Sequence, residues 1–229
     1  MLHGFLPSLL EGAAITLAVA LSSLAVAALL GLAGALAKLS RSRTARSMAG
    51  VYTTLIRGVP ELVLMLLVFS GGQLGINALA PMLGHEDYID VDPFFAGVLT
   101  IGFIFGAYLT EAFRGAFLAV PPGQREAGLA YGMSPLQVLW RITLPQMLRH
   151  ALPGLSNNWL VLVKSTAIVS VIGLSDLMTR GKQAAGTTRE PFTFFLAVAL
   201  IYLVFTSASE LFFAWAQRRL AIGTRQGRL

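Results

Sequence analysis

Five long apolar runs constrain this chain more than any motif in it. They cover about 12–37, 62–83, 94–118, 158–177 and 192–215. Runs of about 20 apolar residues are long enough to cross a bilayer as helix. Lipid offers no partner to a backbone N–H or C=O, so helix is the economical form for each. The run from Gly12 to Ala37 carries no charge, and residues 1–11 hold no Lys or Arg. It therefore reads as a span and not as a secretory leader. Composition agrees: 55% of residues are hydrophobic and 12% charged, against about a quarter charged in a soluble domain. A soluble surface could not hide that much apolar area. The expected fold is an all-α membrane protein of about five transmembrane helices over 12–217, with residues 119–150 as a loop inside it. No soluble domain, linker or internal repeat is evident.

Charge placement predicts orientation. Segment 38–57 carries Lys38, Arg41, Arg43, Arg46 and Arg57 and no acid. Segment 84–93 carries Glu86, Asp87, Asp90 and Asp92 and no base. The connection 119–150 holds Arg125, Arg141 and Arg149 against Glu126, and the tail holds Arg218, Arg219, Arg225 and Arg228. The positive-inside bias then puts the N-terminus outside and the C-terminus in the cytoplasm. Segment 178–190 runs against it, with Arg180, Lys182 and Arg189 on the outer side beside Glu190. The net charge of +6 is explained by this topology, so no nucleic-acid partner is expected. The chain lacks cysteine, and His3, His85 and His150 are scattered. No disulfide, thiolate chemistry or metal site is expected.

The loop between spans three and four is amphipathic and punctuated. A helix can start after Pro122 and end at Gly132, a residue suited to a left-handed cap. Ser134, Pro135 and Gln137 then form a helix start with a capping box. Leu136, Val138, Leu139 and Ile142 give the second helix an apolar flank, and Pro145 interrupts its ladder. Amphipathicity alone describes an interfacial helix pair on the inner membrane surface.

The spacing goes further. Glu126-Ala127-Gly128, then Gly132, then Ile142-x-Leu144-Pro145 resembles the signature loop of ABC-importer permeases, with Gly128 in place of a third alanine. Tyr52–Pro60, Gly106–Gly115 and Asn157–Thr166 look like segments of the polar amino-acid branch of that family. Arg57–Leu67 and Ile89–Pro93 resemble its histidine, lysine, arginine and ornithine importers. The resemblance implies a type I ABC-importer permease fold in a bacterial inner membrane. It implies as partners two ATP-binding subunits, a related second permease and a periplasmic solute-binding protein. It also implies that the loop is a coupling helix seated in the ATPase, with Glu126, Ala127, Gly128, Gly132, Ile142, Leu144 and Pro145 as the coupling residues. The chain has no phosphate-binding Gly-x-x-x-x-Gly-Lys-[Ser/Thr] loop of its own. ATP and Mg are therefore expected on the partner, and no catalytic residue or cofactor in this chain.

Ionisable residues near spans are functional candidates, because burying them is costly. Glu61 could meet a cationic substrate side chain, or pair with Arg57 or another subunit. Lys164, Ser165 and Thr166 interrupt span four; they could line a polar path or anchor a broken helix. Glu111 and Arg114 are spaced to share one helix face as a structural pair. The acidic outer loop could dock a binding protein or simply be solvated. Gly102 and Gly106 allow close packing, within one subunit or across a dimer seam. The expected function is the permease subunit of an ATP-driven amino-acid importer, for basic amino acids by resemblance. The rival is a self-sufficient secondary transporter or channel, which would copurify with no ATPase.

Overall fold

Apolar runs that cannot leave backbone groups unsatisfied become long helices here. The computed structural model describes residues 4–84 and 87–220, without the side chain of Leu83. Among these residues the secondary structure is entirely helical. Helix α1 (Leu6–Leu39) is followed by α2 (Arg43–Gly58), α3 (Glu61–Leu79) with a 3-10 turn at Ala80–Leu83, and α4 (Pro93–Leu118). The connection forms α5 (Pro122–Ala130) and α6 (Pro135–Val138), and a π-helical segment, Leu139–Thr143, leads into α7 (Leu144–Ser165). A 3-10 stretch, Thr166–Ile172, precedes α8 (Leu177–Thr188) and α9 (Pro191–Leu220). Five of these helical stretches are long and apolar enough to span a membrane.

Helix α4 is the axis of the core. It is buried along most of its length, with Ile101, Ile104, Phe105, Ala107 and Leu109 almost fully enclosed. Small residues decide how closely α1 lies on it. A Cβ placed at Gly102 would fall 2.6 Å from Val26 Cβ, and one at Gly106 would fall 2.9 Å from Leu30 Cβ. Gly31 and Gly34 on α1 answer Leu109 and Thr110 in the same way. Of the two readings of the Gly102/Gly106 pair, the structure realises the contact within one chain. A second cluster at the other end of α1 joins Leu9 and Ala13 to Leu177 and Ala184 of α8 and Phe194 and Val198 of α9.

Three features differ from the hydropathy expectation. Around the fourth apolar run the chain is helical from Pro135 to Ile172, starting well before 158 and ending short of 177. The hydropathy window sees only its apolar upper part, although the more polar 144–157 stretch is equally helical. It ends at Gly173, whose φ of +92° breaks the helix. Segment 178–190, expected as an outer loop, is mostly the helix α8. Its basic residues have local partners: Arg180 donates to Glu11 at 2.7 Å, and Lys182 donates to Ser170 at 3.1 Å. Lastly, Asp92 of the acidic loop caps α4, accepting from the Phe94 and Phe95 amides at 2.9 and 3.1 Å. Asp87 and Asp90 are exposed, while His3, His85, Glu86, Arg225 and Arg228 lie outside the described residues.

Candidate functional site

The loop between the third and fourth spans folds as a small, cross-braced unit. Gly132 adopts φ +79° after the last turn of α5, a conformation that costs a residue with a Cβ roughly 1–2 kcal/mol. Ser134 accepts from the Gln137 amide at 3.3 Å, while the Gln137 side chain accepts from the Ser134 amide at 2.8 Å. That capping box starts α6. The two arms then meet at Gly128, the one fully buried residue of α5. A Cβ there would lie 2.7 Å from Ile142 Cδ1 and 3.0 Å from Val138 Cγ2. The absent methyl lets the π-helical segment lie against α5, so Gly128 and Ile142 are brought together. Leu144 is half-buried and Pro145 exposed at the start of α7.

The other face of α5 is bare. Arg125, Glu126, Ala127 and Ala130 are exposed, and Tyr131 beyond them is 89% exposed. Glu126 borders a cavity of about 530 Å³ between α5 and the ends of α1 and α4, with Arg125, Phe117, Leu39 and Thr143 on its wall. Tyr131 and Trp140, both largely exposed aromatics, were not singled out in the sequence. Large aromatics flanking a polar loop are the signal that points to them.

Inside the spans, two of the four candidate path residues come together. The Ser165 hydroxyl donates to the Glu61 carboxylate at 2.7 Å, joining the base of α3 to the end of α7 across 104 residues of sequence. Both are half-buried. Arg57 does not pair with Glu61; its guanidinium lies over the Tyr108 ring, 5.4 Å from the centroid. No basic side chain pairs with Glu61 among the described residues. Thr166 turns away, donating to the Val163 carbonyl at 2.6 Å and lying 3.5 Å from the Tyr202 hydroxyl. Lys164 points elsewhere again, into an apolar cavity of about 400 Å³ walled by Met178, Phe195, Val198 and Tyr202.

Other polar groups hold the frame. Glu111 takes Arg114 at 3.0 Å, the expected pair, and also the Lys38 ammonium from α1, which donates in turn to Thr53 of α2 at 2.6 Å. Three helices are thereby pinned at one level. Asn77 exchanges hydrogen bonds with Ile89 at 2.8 and 2.9 Å, and Gln73 accepts from the Val91 amide at 2.9 Å. Both are polar residues four apart in an otherwise apolar run, which marks them in retrospect. Asp176 caps α8 through the Thr179 amide at 2.9 Å, yet its second carboxylate oxygen is buried and has no partner. Burial pushes this carboxyl above its ordinary value, against the pull of the Thr179 and Met178 hydrogen bonds and the Lys182 charge. Among the described residues no group of three His, Cys, Asp or Glu side chains could hold a metal ion.

Comparison with known proteins places this architecture. The family of binding-protein-dependent transport system inner membrane components matches residues 27–222. The histidine/lysine/arginine/ornithine transport system permease protein HisQ of Salmonella typhimurium is 50% identical over 229 residues, covering all of both chains. The Escherichia coli K12 protein of the same name is 48% identical over the same span. The octopine transport system permease protein OccQ of Rhizobium radiobacter is 40% identical over 96% of this chain and 92% of its own. Among solved structures, a chain of an amino acid ABC transporter with histidines superimposes with a TM-score of 0.78 at 31% identity, covering 93% of this chain and 94% of that one. The MetNI methionine ABC transporter in an inward-facing conformation shares the fold, with a TM-score of 0.72 at 20% identity over 95% of this chain and 96% of its own. The chain therefore belongs to the binding-protein-dependent transport system inner membrane component family, as a multi-pass permease subunit of the amino-acid ABC importer type.

Proposed function

We propose that this subunit passes basic amino acids across a bacterial inner membrane, with Glu61 and Ser165 contacting the cationic side chain in transit. The carrying observation is the Glu61–Ser165 contact, a carboxylate in a candidate span with a hydroxyl partner and, among the described residues, no basic one. A carboxylate held in low dielectric gains most from a cation that can arrive and leave. The substrates named for the relatives at 48–50% identity, histidine, lysine, arginine and ornithine, support that class. Lys164 near the end of α7 and Thr166 at the start of the 3-10 stretch have separate surroundings, Lys164 suiting a carboxylate and Thr166 bracing the turn.

The partners are two ATP-binding subunits, which hold ATP and Mg, a related second permease and a periplasmic solute-binding protein. The bare face of α5, with Glu126 and Ala127, docks on the ATPase, and Gly128, Gly132, Ile142, Leu144 and Pro145 keep it braced to α7. Closure of the ATPase then moves the spans as rigid bodies. The N-terminus is outside and the C-terminus in the cytoplasm, as the Lys and Arg distribution favours. Uptake by the reconstituted complex tests the substrate reading. Glu61→Gln is expected to slow arginine and lysine uptake about tenfold while a neutral amino acid loses about twofold or less, the loss of one charge-assisted contact. Equal losses for all substrates would return Glu61 to a structural role.

A further inference from the structure

Helix α2 carries an apolar surface wider than the protein covers. At 100° per residue, Ala45, Met48, Ala49, Val51, Tyr52, Leu55 and Ile56 form one continuous arc. Only the edge bearing Ala49, Thr53 and Ile56 is buried against the rest of the chain. Met48, Val51 and Leu55 are 74%, 55% and 60% exposed, so three of these seven residues stand open among the described residues. Between this bare stripe and Phe103 of α4 runs an open groove of about 450 Å³, floored by Tyr52 and Ile56, with Ser47 at its end nearer the start of α2. The floor is fixed. The Tyr52 hydroxyl donates to the Phe103 carbonyl at 2.5 Å, and the two rings lie 4.9 Å apart.

The end of the groove toward the start of α2 is strongly positive. Arg43 stands one helical turn before Ser47 on the stripe that continues through Val51 and Leu55. Arg41 precedes it, and Arg46 lies on the side of the helix away from the stripe; all three are exposed, and none forms an ion pair among the described residues. Segment 38–57 contains no acid to neutralise them. The start of this 16-residue helix adds its own partial positive charge at the same place. A long apolar trough with cations at one mouth matches the shape and charge of a phospholipid. A second permease covering the stripe is the alternative that the thiol crosslink below tests. The other segments assigned to the same side of this chain, 119–150 and the tail, offer one acid, Glu126.

We infer that α2 and α4 form a binding site for one anionic phospholipid of the inner leaflet, its acyl chain in the Met48–Val51–Leu55–Phe103 groove and its phosphate at Arg43 and Ser47. The inference rests on the reading of segment 38–57 as cytoplasmic. The site would make the lipid a component of the α2–α4 contact and tie the complex to membranes rich in anionic headgroups.

Native mass spectrometry of the whole transporter complex tests it, after exchange into nanodiscs of dioleoyl phosphatidylglycerol or dioleoyl phosphatidylcholine. The acyl chains are then identical and only the headgroup differs. One phosphatidylglycerol should remain on each copy of this chain, retained at least tenfold better than phosphatidylcholine. Arg43→Gln should weaken retention about fivefold, whereas Arg46→Gln, on the far side of the helix, should change it by about twofold or less. Val51→Trp, which fills the groove and leaves the arginines in place, should displace the lipid as well. Equal retention of the two lipids, or no effect of Arg43→Gln, would overturn the site. Displacement of the lipid by millimolar inorganic phosphate would reduce it to a free-anion site and also overturn it. If the arginine variants fail to assemble, the two-lipid comparison on the unmodified complex decides alone. A thiol at Leu55→Cys that crosslinks to a second permease would show the groove covered by protein and sink the proposal. Labelling of Thr44→Cys by an impermeant maleimide from the periplasmic side would overturn the orientation instead, a result that lipid retention by itself cannot give.

Discussion

Gly128 shows how one missing methyl can set a contact between two elements. The family pattern that this chain resembles has alanine there, yet a Cβ would stand 2.7 Å from Ile142 Cδ1. The obstructing atom is the end of a flexible side chain, so Gly128→Ala is expected to cost about 1 kcal/mol and not to unfold the loop. Ile142→Val removes that methyl and should restore what Gly128→Ala loses. Substrate-stimulated ATP hydrolysis of the complex checks this: partial loss in the single variant and recovery in the double. Additive losses would mean that the two residues do not meet. Asp176 offers a second check through pH. Its folded-state carboxyl is raised by burial, so below the ordinary carboxylate range both states hold the proton and it carries no penalty. As pH rises through that range the unfolded chain ionises first, and stability falls until the raised folded value is passed. Asp176→Asn keeps a capping oxygen and cannot ionise. Its melting temperature relative to the unmodified protein should rise between pH 4 and pH 7, whereas Asp176→Ala should be the less stable at every pH. A constant difference between Asp176→Asn and the parent would contradict the burial argument.

At the level of elements, the chain's helices were legible wherever apolar length alone decides. Spans one, two, three and five fall within a few residues of the hydropathy runs at their inner limits, because lipid leaves helix as the only form for such stretches. The capping box at Ser134 and the left-handed Gly132 were legible too, since both depend on residues within one turn. What sequence could not supply was long-range pairing. Nothing local to Glu61 points to Ser165, and nothing local to Lys38 points to Glu111. Helix α8 escaped because polarity was read as loop, although Asp176 stands at its cap. The glycines separate in the same way. A Cβ at Gly102 would meet Val26 at 2.6 Å, whereas Gly71, Gly72 and Gly75 on α3 have open space where a Cβ would go. Gly102→Ala is therefore expected to destabilise the chain by about 1–3 kcal/mol. Gly72→Ala should leave folding unchanged or improve it by up to about 1 kcal/mol. Thermal melting in detergent distinguishes them, and equal loss in both would mean that α1 does not sit on α4 as described.

For the whole molecule, the proposed role is that of a lever driven at the exposed face of α5. The bare face of α5 is braced through Gly128 and Ile142 to the segment that continues into α7, and α7 ends at Ser165 beside Glu61. On that proposal a push on α5 has a helical route along α7 toward the Glu61–Ser165 contact, and the sequence holds no Gly-x-x-x-x-Gly-Lys-[Ser/Thr] loop. Lys38, Glu111, Arg114 and Thr53 hold α1, α2 and α4 together at the other side of that route, so α7 can move against a fixed frame. The chain has no cysteine, which makes a single introduced thiol unambiguous. A photo-crosslinker carried on Gly123→Cys, at the exposed start of α5, tests the lever directly in membranes containing the assembled complex. The expected product joins this chain to the ATP-binding subunit, with a yield that changes between nucleotide-free and ATP-bound states. Products containing only lipid, or modification of that thiol from the periplasmic side, would contradict it.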